Sequence, residues 1–153
     1  MKIAIGSDHI AYDLKETVKV FIKELGHEVV DYGCHNCTEV DYPDVAFEVA
    51  QDIKDNQASR GILICGTGIG VAISACKVPG IRAALCHDVY SAERAQLSNN
   101  AQVLTMGAQV VGTEHAKKIV QAYLNVEFQG GNSERKVNKI MDKEKEYMHT
   151  HNI

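Results

Sequence analysis

Tryptophan is absent and aromatic residues make up only 6% of the 153 positions, which leaves little material for a platform that stacks nucleic-acid bases. An excess of positive charge is missing as well. Sixteen basic against twenty acidic residues give a formal net charge of −4, which excludes nucleic-acid binding through bulk charge. No apolar run approaches the roughly 18 residues of a membrane span, so no membrane partner is expected. Met1–Ile5 runs straight into a strand pattern with neither a basic stretch nor a cleavage site, and no export signal is expected. Cys34, Cys37, Cys65, Cys76 and Cys86 form an odd set with irregular spacing. That set fits free thiols in a reducing cytoplasm better than a disulfide framework, and four of the five read as small buried hydrophobes. Linkers, low-complexity tracts and internal repeats are also lacking, so residues 1–153 are expected to form one domain.

What is present is ordinary globular material, 45% hydrophobic and 24% charged, arranged in a regular alternation. Short apolar runs at Lys2–Gly6, Glu28–Tyr32, Gly61–Cys65, Ile81–Cys86 and Ala101–Met106 read as strands. Between them lie amphipathic stretches: Leu14, Val18, Phe21, Ile22 and Leu25 at helical spacing, a helix opened by Pro43, a small-residue helix ending near Cys76, and helices over Tyr90–Leu97 and His115–Leu124. A charged helix over Ser133–Tyr147 follows. Five strands separated by helices predict a parallel sheet with right-handed crossovers, covered on both faces in three αβα layers. Ligands of such sheets bind beyond the carboxyl ends of the strands, so the residues just after each strand are the candidates.

Cys65-Gly-Thr-Gly-Ile-Gly70 closes one strand and opens a helix. Gly66 and Gly68 admit a ligand close to the backbone, and free amides at the helix start suit a phosphate or an oxyanion. A tight turn in which the glycines serve packing alone is the competing reading. No Lys-Ser/Thr pair follows, and the dinucleotide spacing is absent, which sets aside nucleotide-loop readings. A helix start favours the thiolate form of Cys65, making it a nucleophile or a general base; an inert buried thiol is the alternative. Asp8 and His9 follow the first strand with a carboxylate and an imidazole that either hold a hydroxyl and steer protons or serve the next helix as cap and first turn. His87 and Asp88 carry the same ambiguity after the fourth strand. Cys34, His35 and Cys37 make three metal-type ligands with no fourth nearby, so no metal is expected.

The segments Gly6-Ser-Asp-His9, Asp41-Tyr-Pro43, Gly61–Gly70, Lys77-Val-Pro-Gly-Ile-Arg-Ala-Ala84, Tyr90-Ser-Ala92, Asn99, Gly107–Gly112 and Phe128-Gln-Gly-Gly131 together resemble one family over nearly the whole chain. It is the type B ribose-5-phosphate isomerases, which include the subunits of galactose-6-phosphate isomerase. The resemblance implies a Rossmann-like doubly wound fold and a homodimer or homotetramer. It also implies metal-free, cofactor-free aldose–ketose isomerisation of ribose 5-phosphate and ribulose 5-phosphate, within pentose phosphate metabolism. By the same resemblance Cys65 is the base, and the Gly66, Gly68, Ile69 and Gly70 amides with Thr67 face the enediolate oxygens. Asp8, His9 and Tyr42 bind substrate, and Asn99 arrives from the partner subunit. The charged Arg135–Tyr147 helix is a candidate clasp on that partner, a solvated outward face being the competing reading.

Several positions depart from the family pattern. Ser98 stands where a ring-opening histidine is expected, and Gln109, Asn132 and Lys136 stand where phosphate-binding arginines are expected. Arg135 lies one residue earlier, turned by about 100° on a helix. Phosphate contacts would then fall to Lys136, Arg135 and His9, and ring opening to His87, Ser98 or water. Alternative readings are an isomerase for a tetrose or hexose phosphate, one subunit of a heteromer, and a non-catalytic sugar-phosphate-binding subunit.

Overall fold

Every residue from Arg60 to Cys65 is buried, a pattern that only a strand covered on both faces produces. The computed structural model, which describes residues 1–36 and 38–151, places that strand, β3 (Arg60–Cys65), at the centre of a five-stranded sheet. The others are β1 (Lys2–Ser7), β2 (Glu28–Asp31), β4 (Ala83–Leu85) and β5 (Val103–Gly107). All pairings are parallel and the order is β2-β1-β3-β5-β4. Helices α1 (Tyr12–Glu24), α2 (Tyr42–Lys54), α3 (Ile69–Cys76), α4 (Val89–Leu97) and α5 (Thr113–Leu124) connect or follow the strands, and α6 (Asn132–His151) ends the described chain.

Strand alternation divides the core in two. Ile3, Ile5, Ile62, Ile64, Leu104 and Met106 pack with Val18 and Ile22 of α1, Ala92 and Ala95 of α4, and Ile119 and Tyr123 of α5. Ala4, Leu63, Cys65 and Val103 face the other way, towards Val45, Val49 and Ile53 of α2 and Val71 and Ala75 of α3. This is the predicted three-layer sandwich. Glycines set how closely α2 lies on it: a Cβ on Gly6 would come within 2.5 Å of Val45 Cγ1, and one on Gly61 within 2.8 Å of Ile53 Cδ1. Below the sheet, the buried guanidinium of Arg60 donates to the carbonyls of Tyr123 at 2.8 Å and Val126 at 2.7 Å. It thereby satisfies one orphan acceptor in the last turn of α5 and a second just beyond the helix.

The differences from the sequence reading lie at element ends. Ile81 is not in β4, because its N–H is taken by Val78 O in a turn closed by Gly80 at φ +91°. The last strand begins at Val103, not Ala101, whose N–H bonds Ala95 O as the chain leaves α4. Helix α6 extends beyond Tyr147 to His151 and buries Val137, with Glu144 accepting from Gly80 N at 3.0 Å. Cys34 and Cys86 are buried as expected, but Cys76 is exposed, its Sγ beside the backbone of Ala83. Cys37, and with it the Cys34/His35/Cys37 grouping, lies outside the described residues. No described helix is long and apolar enough to cross a membrane.

Burial pushes the Cys86 thiol from its ordinary 9.0 up to about 11, with the Asp88 charge adding to the shift. An unfolded chain loses this proton from about pH 9, while the folded chain holds it until about pH 11. Stability from this group is therefore complete below pH 9 and lost as pH rises through that window. Melting temperatures across this range should fall, and Cys86→Ala should flatten the fall; an unchanged slope in the variant would remove Cys86 as its source.

Candidate active site

Parallel strands deliver all their carboxyl ends to one side of the sheet. From neighbouring strands β1 and β3 the chain departs to opposite faces, through α1 and α3, which opens a crevice between them. Asp8 follows β1 and Cys65 ends β3, so both flank that crevice.

Cys65 is 4% exposed, and its Sγ accepts the Gly68 N–H at 3.1 Å. Gly68 sits at φ +78°, and any Cβ there would meet the Met106 backbone at 2.6 Å and Leu85 Cδ1 at 2.7 Å. A Cβ on Gly107 would meet the Thr67 backbone at 2.6 Å. The turn is thus seated on the end of β5, and hydrogen bonds fasten it: Ala108 N to Cys65 O at 2.9 Å, Gln109 N to Gly66 O at 3.0 Å, and Thr105 Oγ1 to Gly68 O at 2.8 Å. Helix α3 starts directly after Gly68, which has no side chain to cap it, while Thr67 Oγ1 accepts only the Ile69 N–H at 3.3 Å. The packing reading and the anion-nest reading of these glycines are therefore both visible: close approach on one side, amides lacking a capping side chain on the other.

Around this turn, the Tyr42 ring at the start of α2 lies directly against Gly70, with Tyr42 39% exposed. Gln109 stands against Gly66 on the other side, together with Ile10. His9 Nδ1 accepts the Val40 N–H at 3.2 Å, so its Nε2 carries the neutral ring's proton and is left available. Asp8 is buried, with Oδ1 accepting the Ala11 N–H at 3.2 Å just ahead of α1. His87 belongs to the same end of the sheet; its Nε2 accepts the Gly107 N–H at 2.9 Å, leaving Nδ1 as its donor. Asp88 is a helix cap, accepting the Ser91 N–H at 2.7 Å, and that bond holds its carboxyl below the usual range.

The remaining candidates are not brought to Cys65 within one chain. Ser98 and Asn99 follow α4 at the amino-terminal end of the sheet, where Arg82 donates to the carbonyls of Asn99 and Asn100. Asn99 lines a groove of about 410 Å³ there with Arg82, Arg94 and Ile140. Asn132, Arg135 and Lys136 are exposed on the first turns of α6, which packs on Gly80 and Arg82 at that same end. Sequence reasoning missed Arg82 as the organiser of this region; a lone charge inside the apolar Ile81–Leu85 run was the available signal. Among the described residues no group of three or more His, Cys, Asp or Glu side chains is placed to hold a metal.

A thiol beneath an amide-lined turn, at the crevice of a parallel sheet, is equipment for moving protons on a small anionic substrate. The family described as Ribose/Galactose Isomerase matches residues 3–140. Among curated proteins, the D-erythrulose-4-phosphate isomerase of Pectobacterium atrosepticum is 54% identical over 141 residues, 92% of this chain and 93% of that one. The Ribose-5-P isomerase B of Listeria innocua is 50% identical over 137 residues, 90% of this chain and 93% of that one. Among solved structures, the Ribose-5-Phosphate Isomerase B of Clostridium thermocellum superposes with a TM-score of 0.93 at 48% identity, covering 96% of this chain and 99% of that one. The chain belongs to the Ribose/Galactose Isomerase family and is an enzyme of the sugar-phosphate isomerase class. Its doubly wound sheet is that of the type B ribose-5-phosphate isomerases.

Proposed function

We propose that this enzyme interconverts an aldose phosphate and its ketose through an enediolate, with Cys65 as the base. The observation that carries the reading is the Cys65 thiol at the end of β3, hydrogen-bonded by Gly68 N–H beneath the Gly66–Gly70 turn. In the aldose-to-ketose direction the thiolate takes the proton from C2, the electron pair moves into a C1–C2 double bond, and the thiol returns the proton to C1. A proton passes from the C2 hydroxyl to the former carbonyl oxygen, so atoms and electrons balance with no external oxidant, metal or cofactor. Amides at the start of α3 and the Thr67 hydroxyl are suited to the enediolate oxygens, where charge develops. Asp8 and His9 Nε2 are suited to substrate hydroxyls, and the exposed Tyr42 ring walls the opening. Free thiols among the described residues fit a cytoplasmic setting.

Ribose 5-phosphate and ribulose 5-phosphate are the leading pair, in keeping with the names of the Listeria and Clostridium relatives. Ser98 favours a second reading. A hydroxyl is a poor substitute for the ring-opening imidazole that the family resemblance implies, whereas a tetrose 4-phosphate has its O4 esterified and cannot close a furanose. Such a substrate needs no ring opening, and the Pectobacterium relative carries a tetrulose phosphate in its name. A coupled assay of the purified protein on tetrose, pentose and hexose phosphates decides between them: turnover on pentose phosphate supports the leading pair, and turnover confined to the tetrose supports the second. Cys65→Ala should lower kcat on the accepted substrate about a hundredfold or more with an unchanged fold by circular dichroism. Wild-type turnover in that variant would reject the thiol as base.

The site reads as shared between two copies. Asn99 and the first turns of α6 lie at the end of the sheet opposite Cys65, so they can complete a site only on a second copy. The exposed Ile69, Ile73, Leu85 and Tyr90 near the Cys65 end offer apolar surface for such a contact. Cys65→Ala and Asn99→Ala homomers, each expected to be nearly inactive, should regain activity when unfolded together and refolded as a mixture. A mixture as inactive as its parents would count against a shared site.

A further inference from the structure

Lys15 is fully buried, an unusual place for a lysine, and no step of the reaction uses it. Its Nζ lies 2.8 Å from Asp31 Oδ2 and 2.8 Å from Glu16 Oε1, over the Tyr12 ring. Lys19 reaches the same Asp31 oxygen at 2.9 Å. The other Asp31 oxygen, Oδ1, accepts the Gly33 N–H at 2.9 Å. From Gly33 the connection runs to the crevice in one further step: Ser7 N donates to Gly33 O at 2.6 Å, and Cys34 N to Ser7 O at 2.8 Å. Ser7 is the residue before Asp8, and the same segment leads to Val40, whose N–H holds the His9 ring.

We propose that Asp31, clamped by Lys15, is a positioning residue for the Asp8–His9 segment. The inference rests on the sugar-phosphate isomerase reading above, in which those two side chains meet substrate. The geometry separates the two oxygens by task. Oδ2 is held by two lysines and fixes the carboxylate on α1; Oδ1 is thereby aimed at the Gly33 amide, just past the end of β2. That bond extends the β1–β2 pairing to Ser7, and so sets where β1 releases the chain into Asp8. Gly33 has φ +105°, a conformation other residues rarely adopt, so this turn is shaped by the Asp31 bond and not by a side chain of its own. Burial pushes the Asp31 carboxyl up, but the hydrogen bonds from Lys15, Lys19 and Gly33 outweigh it and hold the group below its usual range. The acceptor therefore stays ionised throughout the neutral range.

The test compares Asp31→Ala, which removes the acceptor, with Lys19→Met, which leaves Lys15 on Oδ2 and Gly33 N–H on Oδ1. In Asp31→Ala the amides of Ser7, Gly33 and Cys34 should exchange with solvent about tenfold faster or more, while Lys19→Met stays close to wild type. On the substrate that wild type accepts, kcat/KM should fall about tenfold or more in Asp31→Ala and be largely kept in Lys19→Met, because misplacement of substrate-facing groups is costly to rate. If Asp31→Ala does not fold, Lys15→Met/Asp31→Leu replaces the pair by apolar side chains, a change that buried ion pairs tolerate, and carries the same expectation. Wild-type exchange and wild-type kcat/KM in a folded variant lacking the acceptor would overturn the proposal, as would equal losses in Lys19→Met and Asp31→Ala. Failure of the functional reading looks different. Wild type then turns over no sugar phosphate, while the exchange measurement still reports whether Asp31 holds the segment.

Discussion

Where Thr67 and Gly68 lie on Met106 and Gly107, main chain meets main chain with no side chain between, and the position of the whole glycine-rich turn follows from that contact. The turn cannot retreat, because Cys65 O and Gly66 O are already committed to amides of the 108–109 segment. It cannot advance, because Gly107 is beneath it. A thiol at the end of β3 is therefore offered to the Gly68 amide at fixed distance, and the first turn of α3 faces the crevice without a capping side chain of its own. Interiors packed at crystal-like density hold such an arrangement more rigidly than a surface loop would.

The same economy of side chains recurs on the α2 side. Gly6 and Gly61 let α2 lie close on the sheet, and this brings its first residue, Tyr42, onto Gly70. The wall of the crevice is thus set by two glycines buried well below it. Charge is distributed differently. Of the buried cations, Lys15 holds the Asp31 and Glu16 carboxylates and Arg60 holds backbone carbonyls, whereas Arg135 and Lys136 are exposed at the far end of the sheet. In one copy the Cys65 crevice is bordered by the Asp8 carboxylate, Gln109 and Tyr42.

Much of this was legible in the residues. An uninterrupted apolar run that ends in Cys65-Gly66 announces a strand and its turn, and of the two readings open for Asp88, cap or functional group, the structure shows the cap. Element ends were less legible, because hydrogen bonding decides them: Ile81 has the composition of a strand residue but spends its N–H on a turn. The role of Lys15 was hidden for a similar reason. On a helix its charge reads as a solvated face, and only the packing of α1 on β2 shows that Asp31 waits beneath it. Asn99 and α6 were placed near the site by resemblance, and the parallel sheet shows why a single chain keeps them apart from Cys65: α4 begins at the carboxyl end of the strands and must finish at the other.

The Arg60 guanidinium, fastened to Tyr123 O and Val126 O, gives the molecule a direction in time. Synthesis supplies the central strand early and its two anchors late, since β5 and the end of α5 follow β3 by tens of residues. A growing chain that has released Cys65 but not Gly107 carries the thiol on a turn with nothing to rest on. Until Tyr123 and then Val126 emerge, the Arg60 guanidinium lacks its carbonyl partners. Contacts of such long sequence separation are slow to close. The seat of the Cys65 turn therefore exists only once the chain has reached Gln109, and a chain ending before β5 would have the sequence motif without its geometry.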